Sequence, residues 1–185
     1  MRSPVPGDLV IAADKGVLTA EKLGAAPDII IGDFDSLGFV PDGNVIKLPV
    51  KKDKTDVGYA VDYAFNKGYK TFYVYGASGG LLDHTVANLQ ICADISKKGG
   101  RMYLFSDRQR AFCITNEAVT LDGKGRISVF AAGGKARGVT LDGLLYPLTD
   151  AELDPAFPLG VSNSFTGGQA NISVKDGTLL IIHDV

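Results

Sequence analysis

Cysteine is scarce in this chain: Cys92 and Cys113 are the only two among 185 residues, and no CxxC pair occurs. With just two distant histidines beside them, they cannot assemble a zinc site of the usual spacing or a disulfide framework. Both stand in apolar surroundings and read as small buried hydrophobes in a reducing compartment. No apolar run approaches the ~18 residues of a membrane span, and MRSPVPGDLV has no apolar core of signal-peptide length. The expected location is the cytoplasm, with no membrane partner. Nor is there a charge excess of either sign. The 19 Lys and Arg against 21 Asp and Glu leave a net charge of −2, and Lys51, Lys52 and Lys54 are interrupted by Asp53, which argues against nucleic acid as a partner. Repeats and low-complexity segments are lacking, as are the GxxxxGK[ST] and GxGxxG phosphate signatures. What remains is an ordinary soluble composition, 45% hydrophobic and 22% charged, long enough for one large domain or two small ones.

The first half of the chain alternates strand and helix signals. Residues 8–13, 28–31 and 44–48 read as short strands, with a helix from Gly16 to Leu23 between the first two. Thr55 is placed to cap a helix running to about Lys67, with Gly68 as its stop. A strand at 70–75, a glycine-rich turn, a helix from about Leu82 to Lys97 and a strand at 101–105 follow. Such alternation predicts a mostly parallel sheet with helices on both faces, an α/β domain over 1–110. From 111 onward only short strand-like runs appear, at 111–115, 126–131, 136–141, 170–174 and 178–183, which predicts an all-β, sandwich-like domain over 111–185. Asp176-Gly177, lying between two alternating runs, predicts a hairpin.

Chemistry is signalled by aspartates placed just after predicted strands, the end of an open α/β sheet where ligands bind. Asp33 and Asp35 follow one strand in GDFDS, Asp53 and Asp56 the next in KKDKTD, and Asp83 a third in GASGGLLDH. Singly, each reads as a helix cap or a turn residue. Together they are carboxylates that repel one another unless a cation is present, and magnesium suits them because it also accepts phosphate oxygens. Gly76, Gly79 and Gly80 free a backbone to wrap phosphate. An EF-hand reading of GDFDS fails, since Leu37 and Asn44 occupy ligand positions. An aspartyl-nucleophile phosphatase reading survives only as a minor alternative, because Gly32 follows the strand and Leu37 replaces the usual Thr or Val.

In this order, AADKG (12–16), GDFDS (32–36), KDKTD (52–56), GASGGLLDHTVAN (76–88), GLLYPL (143–148) and VSNSF (161–165) closely resemble the thiamin pyrophosphokinase family over almost the whole chain. The resemblance implies transfer of pyrophosphate from ATP to the hydroxyl of thiamin with Mg2+. It makes Asp33, Asp35 and Asp56 the metal ligands and Asp83 a further acidic residue of the active site. Asp56 and Asp83 are the two candidate proton acceptors. Asp14, Gly16, Ser78, Gly79 and Gly80 contact the nucleotide in this reading, and His84 either contacts phosphate or caps its helix. Tyr146 stands where the family stacks an aromatic ring on thiamin, and Ser162 and Asn163 fall on its vitamin-binding element. A homodimer that completes the thiamin site across subunits is also implied. Three departures stand out: Leu81 replaces a basic residue, Lys15 replaces a glycine and offers a replacement charge, and only MRSPVPG precedes Asp8 where the family has a further strand. Alternatives are pyrophosphoryl transfer to another hydroxymethyl heterocycle, such as a pterin, and a non-catalytic nucleotide-binding homologue.

Overall fold

Three consecutive isoleucines, Ile29 to Ile31, suit a strand covered on both faces, and they are all buried in one. In the computed structural model, which describes residues 3–185, the chain forms two compact units, Met1–Tyr69 and Lys70–Val185. In the first, β1 (Ile11–Ala13), β2 (Ile29–Gly32) and β3 (Val45–Lys47) make a parallel sheet in that order, with Ile11 opposite Ile29 and Ile30 opposite Val45. Alternate side chains of a strand point to opposite faces. Ile30, Ala12 and Val45 pack with Val17 of α1 (Gly16–Lys22), while Ile29, Ile31 and Ile11 pack with Ala60 and Tyr63 of α2 (Asp56–Asn66). The expected helices on both faces are therefore present on this sheet. Helix α2 starts where Thr55 predicted: its hydroxyl oxygen accepts the N–H of Gly58 at 3.1 Å, a cap that contributes about 1 kcal/mol. It stops before Gly68, which has φ +95°.

The second unit has three layers. Strand β4 (Thr71–Tyr75) passes through α3 (Leu82–Lys97) to the parallel β5 (Arg101–Phe105), which turns at Ser106–Arg108 into the antiparallel β6 (Gln109–Thr115). These join β8 (Arg126–Ala131), β11 (Asn163–Ser164) and β13 (Thr178–Asp184) in a six-stranded sheet of order β11-β8-β13-β6-β5-β4. Helix α3 covers one face, with Cys92 and Ile95 buried beside Met102 of β5 and Cys113 of β6. A four-stranded sheet, of order β10-β9-β12-β7, covers the other: β7 (Ala118–Asp122), β9 (Ala136–Asp142), β10 (Leu148–Leu153) and β12 (Gln169–Ser173). Phe112, Ile127, Val129, Leu141, Ile172 and Ile181 fill the space between the sheets, and each contributes roughly 1.5–3 kcal/mol by burial.

The boundary expected at 110/111 falls inside β6, and β4 and β5 are hydrogen-bonded into the sheet that carries the C-terminal strands. One expectation is corrected. Asp176-Gly177 does not close a hairpin, because β12 pairs with β7 and β9 whereas β13 pairs with β6 and β8. The two strands lie in different sheets that face each other across the core, where Ile172 and Ile181 share one apolar layer. Gly177 keeps its left-handed φ of +112° as the chain crosses between sheets, and its N–H donates to Asn116 Oδ1 at 2.8 Å. Strands β7, β10 and β11 lie outside the sequence expectation. Of these, β10 is an edge strand with a polar TDAE run and register shifts, so its apolar alternation is weak.

His183 of β13 is buried between Phe112 and Phe165. Arg110 donates to its Nε2 at 3.2 Å from Nε, and Nδ1 lies 2.7 Å from the Asp184 carbonyl. A guanidinium donor fixes Nε2 as an acceptor, so the ring is neutral with its proton on Nδ1. Burial, and then the Arg110 charge, hold its pKa below the ordinary value. The unfolded chain takes up that proton near pH 6.5 and the native chain resists it, so stability is full above this value and declines as pH falls below it. Urea unfolding should show a falling free energy between about pH 6.5 and 5, and His183→Phe should remove that part of the slope. An unchanged slope in the variant contradicts this assignment.

Candidate active site

The loops after β1, β2 and β3 leave the same end of the parallel sheet and bring Asp14, Asp33 and Lys52 with them. Close approach of the first two loops depends on Gly32. A Cβ there would lie 3.1 Å from the Phe34 ring and 3.2 Å from Asp14 Cα, tighter than ordinary packing allows without a shift. Asp14 and Phe34 take left-handed backbone, φ +47° and +61°, uncommon for residues with side chains and typical of functional loops. Phe34 drives its ring into the core, 3% exposed, while Asp33 on one side turns to Lys52 and Asp35 on the other is exposed.

Lys52 was not singled out in the sequence, yet it organises this cluster. Its ammonium is hydrogen-bonded to Asp33 Oδ2 and lies 3.0 Å from Asp56 Oδ1, with the lysine side chain only 8% exposed. Its spacing, four residues before Asp56 at a helix start, was the signal available. The Lys52 hydrogen bond holds the Asp33 carboxyl below the usual carboxylate range. Burial pushes Asp56 up, against the pull of Lys52 and with the help of nearby Asp33 and Asp14. Burial also works against the charge on Lys52, but its bonds to Asp33 and Asp56 leave its pKa raised. Asp35 is exposed, and its N–H donates to Asp33 Oδ1 at 3.3 Å. Ser36 donates to Asp14 Oδ2 at 2.5 Å.

Among the described residues, no three acidic, histidine or cysteine side chains enclose a metal position. The donor chemistry nonetheless fits a hard divalent cation. Asp14 Oδ1 is buried and accepts no hydrogen bond, Asp56 Oδ1 has only the Lys52 ammonium at 3.0 Å, and carboxylates outnumber ammonium groups in the cluster.

Of the remaining predicted residues, Gly16 opens α1 in the first unit, and the others belong to the second. Ser78, Gly79 and Gly80 form an exposed loop before α3, where Gly79 has φ +87° and neither glycine has a neighbour crowding the missing side chain. Buried Asn88 of α3 donates to the Ala77 carbonyl at 3.0 Å and ties that loop down. Asp83 and His84 are exposed in the first turn of α3, and Asp83 Oδ1 accepts the His84 N–H at 2.8 Å. Farther along, the ring of Tyr146 is presented to solvent, with the residue 63% exposed. Ser162, also left-handed at φ +58°, accepts from Arg126 Nη2 at 2.7 Å, while its N–H donates to Ser128 Oγ at 3.1 Å. Asn163 is buried beneath Tyr146 and bonded to its main chain.

Comparison with known proteins bears on both units. A family model described as the catalytic domain of thiamin pyrophosphokinase matches residues 6–104, and one described as its vitamin B1 binding domain matches residues 116–179. The chain is 26% identical over 184 residues to the thiamine pyrophosphokinase of Bacillus subtilis, covering 94% of this chain and 86% of that protein. It superposes on the crystal structure of the Bacillus subtilis enzyme with a TM-score of 0.87 and 25% identity, over 98% of this chain and 90% of the other. A thiamin pyrophosphokinase family protein from Enterococcus faecalis shares the fold, with a TM-score of 0.86 at 23% identity over 100% and 92% of the two chains.

Because Lys52 pairs with both Asp33 and Asp56, Lys52→Met should lower the melting temperature by several degrees at pH 7.5 in chelator. The deficit should shrink as pH approaches 4, where Asp56, its pKa raised, takes a proton first and the repulsion fades. Equal melting temperatures of variant and parent at pH 7.5 would show that the ammonium is not what balances the cluster.

Proposed function

The chain belongs to the thiamin pyrophosphokinase family, and from that premise we propose that it transfers the pyrophosphoryl group of ATP to thiamin with Mg2+. Thiamin's primary hydroxyl attacks the β-phosphorus of ATP, the bond from that phosphorus to the bridging α-phosphate oxygen breaks, and AMP leaves. The hydroxyl proton passes to a carboxylate, with Asp56 and Asp83 as the proposed acceptors. The observation that carries this reading is the Asp14, Asp33 and Asp56 cluster at the ends of the parallel strands, three carboxylates around one ammonium with the buried Asp14 Oδ1 lacking a donor. Asp33, Asp35 and Asp56 are the proposed ligands of magnesium, which when bound supplies neutralisation of charge on the transferred group.

The protein's own groups position the reactants. Asp14, Gly16, the Ser78–Gly80 backbone and His84 are proposed to hold the nucleotide. Gly79 and Gly80 leave their backbone open to close approach by phosphate. Tyr146 offers a ring face to a flat cationic vitamin, and the Ser162 hydroxyl, with Arg126 already donating to its oxygen, is free to donate its own proton. The match of residues 116–179 to a vitamin B1 binding domain supports thiamin over another hydroxymethyl heterocycle. We place the enzyme in the cytoplasm as a homodimer; its two free, buried thiols suit a reducing compartment, and among the described residues no helix is long and apolar enough to cross a membrane.

Incubation with ATP, magnesium and thiamin should yield AMP and thiamin diphosphate in equal amounts. Asp33→Asn and Asp35→Asn should each abolish this turnover while keeping the circular dichroism of the parent. Near-normal activity of either variant at saturating magnesium rejects the ligand assignment. Light scattering should give a dimer, and a monomer that turns over at low concentration rejects the shared site.

A further inference from the structure

The Asn163 side chain is buried and bonded to main chain through both its oxygen and its nitrogen. The residue is 2% exposed. Its Oδ1 accepts the N–H of Tyr146 and that of Ser164, each at 2.9 Å, and its Nδ2 donates to the Tyr146 carbonyl at 2.8 Å. Only this orientation of the amide works, because a flipped one would set its NH2 against two N–H donors. Next to it, segments 143–146 and 163–166 run antiparallel. Leu145 N–H donates to the Ser164 carbonyl at 2.9 Å, Leu144 bridges Phe165, and Thr166 N–H donates to the Gly143 carbonyl at 3.1 Å. The carboxamide pairs with both main-chain groups of Tyr146 as a peptide group would, adding one rung where the main-chain pairing ends. At the other side of Tyr146, Pro147 restricts it to extended backbone. At the start of the segment, Gly143 has φ +77°, and a Cβ there would sit 2.3 Å from the Gln169 carbonyl oxygen, so the segment is seated tightly against β12.

The outcome is a contrast within one residue: the Tyr146 main chain is clamped while its ring stands in solvent, in a residue 63% exposed. We propose that Asn163 is a positioning residue which does not itself contact thiamin but fixes the Tyr146 main chain, so that the ring is a pre-set stacking platform. The proposal rests on the reading that Tyr146 stacks on thiamin. A platform ordered before binding spares the ligand the cost of ordering it, and loss of the clamp should weaken affinity without removing a contact.

The chain contains no tryptophan, so Tyr146→Trp places a single fluorophore on the platform. In that background thiamin should quench the emission, and titration gives Kd. Adding Asn163→Ala should lower the steady-state anisotropy of the indole and raise the thiamin Kd roughly tenfold, while the KM for ATP holds. If the alanine variant does not fold, Asn163→Asp keeps an acceptor for both amides and loses the donor to the Tyr146 carbonyl; it should show the same two changes in smaller measure. A raised Kd with unchanged anisotropy means that Asn163 touches the ligand and overturns the proposal. Parallel loss of thiamin affinity, ATP affinity and melting temperature means a merely structural role and overturns it too. In a Tyr146→Ala background, Asn163→Ala should add nothing to the thiamin KM; an additional effect there contradicts action through Tyr146. Absence of quenching together with a normal thiamin KM in Tyr146→Ala rejects the stacking reading itself, and the clamp proposal falls with it. Quenching that survives Asn163→Ala at unchanged Kd rejects the clamp alone.

Discussion

Carboxylates gathered at one end of a parallel sheet repel one another, and the first unit is built around offsetting that repulsion with one buried ammonium. Lys52 sits between Asp33 and Asp56, and its stem is nearly as buried as a core side chain. The arrangement follows from topology. Parallel strands release their loops at the same end, so residues far apart in sequence meet there whether or not their charges agree. Gly32 permits the approach, Phe34 anchors it, and Lys52 makes it tolerable electrostatically. Three carboxylates around one ammonium, with Asp14 Oδ1 buried and without a donor, leave the cluster under-neutralised.

The second unit meets a different requirement, the rigid display of polar and aromatic groups. Its six-stranded sheet is covered by α3 on one face and by four strands on the other, so the loops spring from a body with little freedom. Two of its buried polar side chains work on loop backbone. Asn88 holds the Ala77 carbonyl below the glycine-rich loop, and Asn163 holds both main-chain groups of Tyr146. An amide presents a donor and an acceptor side by side, as a peptide does, and can therefore satisfy a segment that has left its ladder. In both places buried polarity is matched by hydrogen bonds, which is the condition for its being tolerated.

Left-handed backbone on residues with side chains marks the same regions. Among the described residues it occurs at Asp14, Phe34, Asn116, Asp150 and Ser162; the first and last are residues that motif matching also selects, and Phe34 separates Asp33 from Asp35. Such conformations cost free energy and persist only where neighbouring contacts enforce them. For Ser162 the enforcement is visible in the hydrogen bonds from Arg126 and to Ser128.

By itself the sequence determined the order of elements in the first hundred residues, the caps of α2 and the identity of the acidic loops. These are local matters: a threonine oxygen three residues before an N–H, an apolar period of two or 3.6, a glycine where φ must be positive. Only the tertiary structure decided which sheet β4 and β5 join, that Asp176-Gly177 passes between sheets, that Lys52 is the partner of two aspartates, and that Asn163 faces the main chain of Tyr146. A lysine in a charged loop and an asparagine in an SN pair look the same in sequence whether they face solvent, ligand or protein. Asp56 is four residues from Lys52, but Asp33 and Tyr146 lie 19 and 17 residues from Lys52 and Asn163, and only packing brings those pairs within bonding distance.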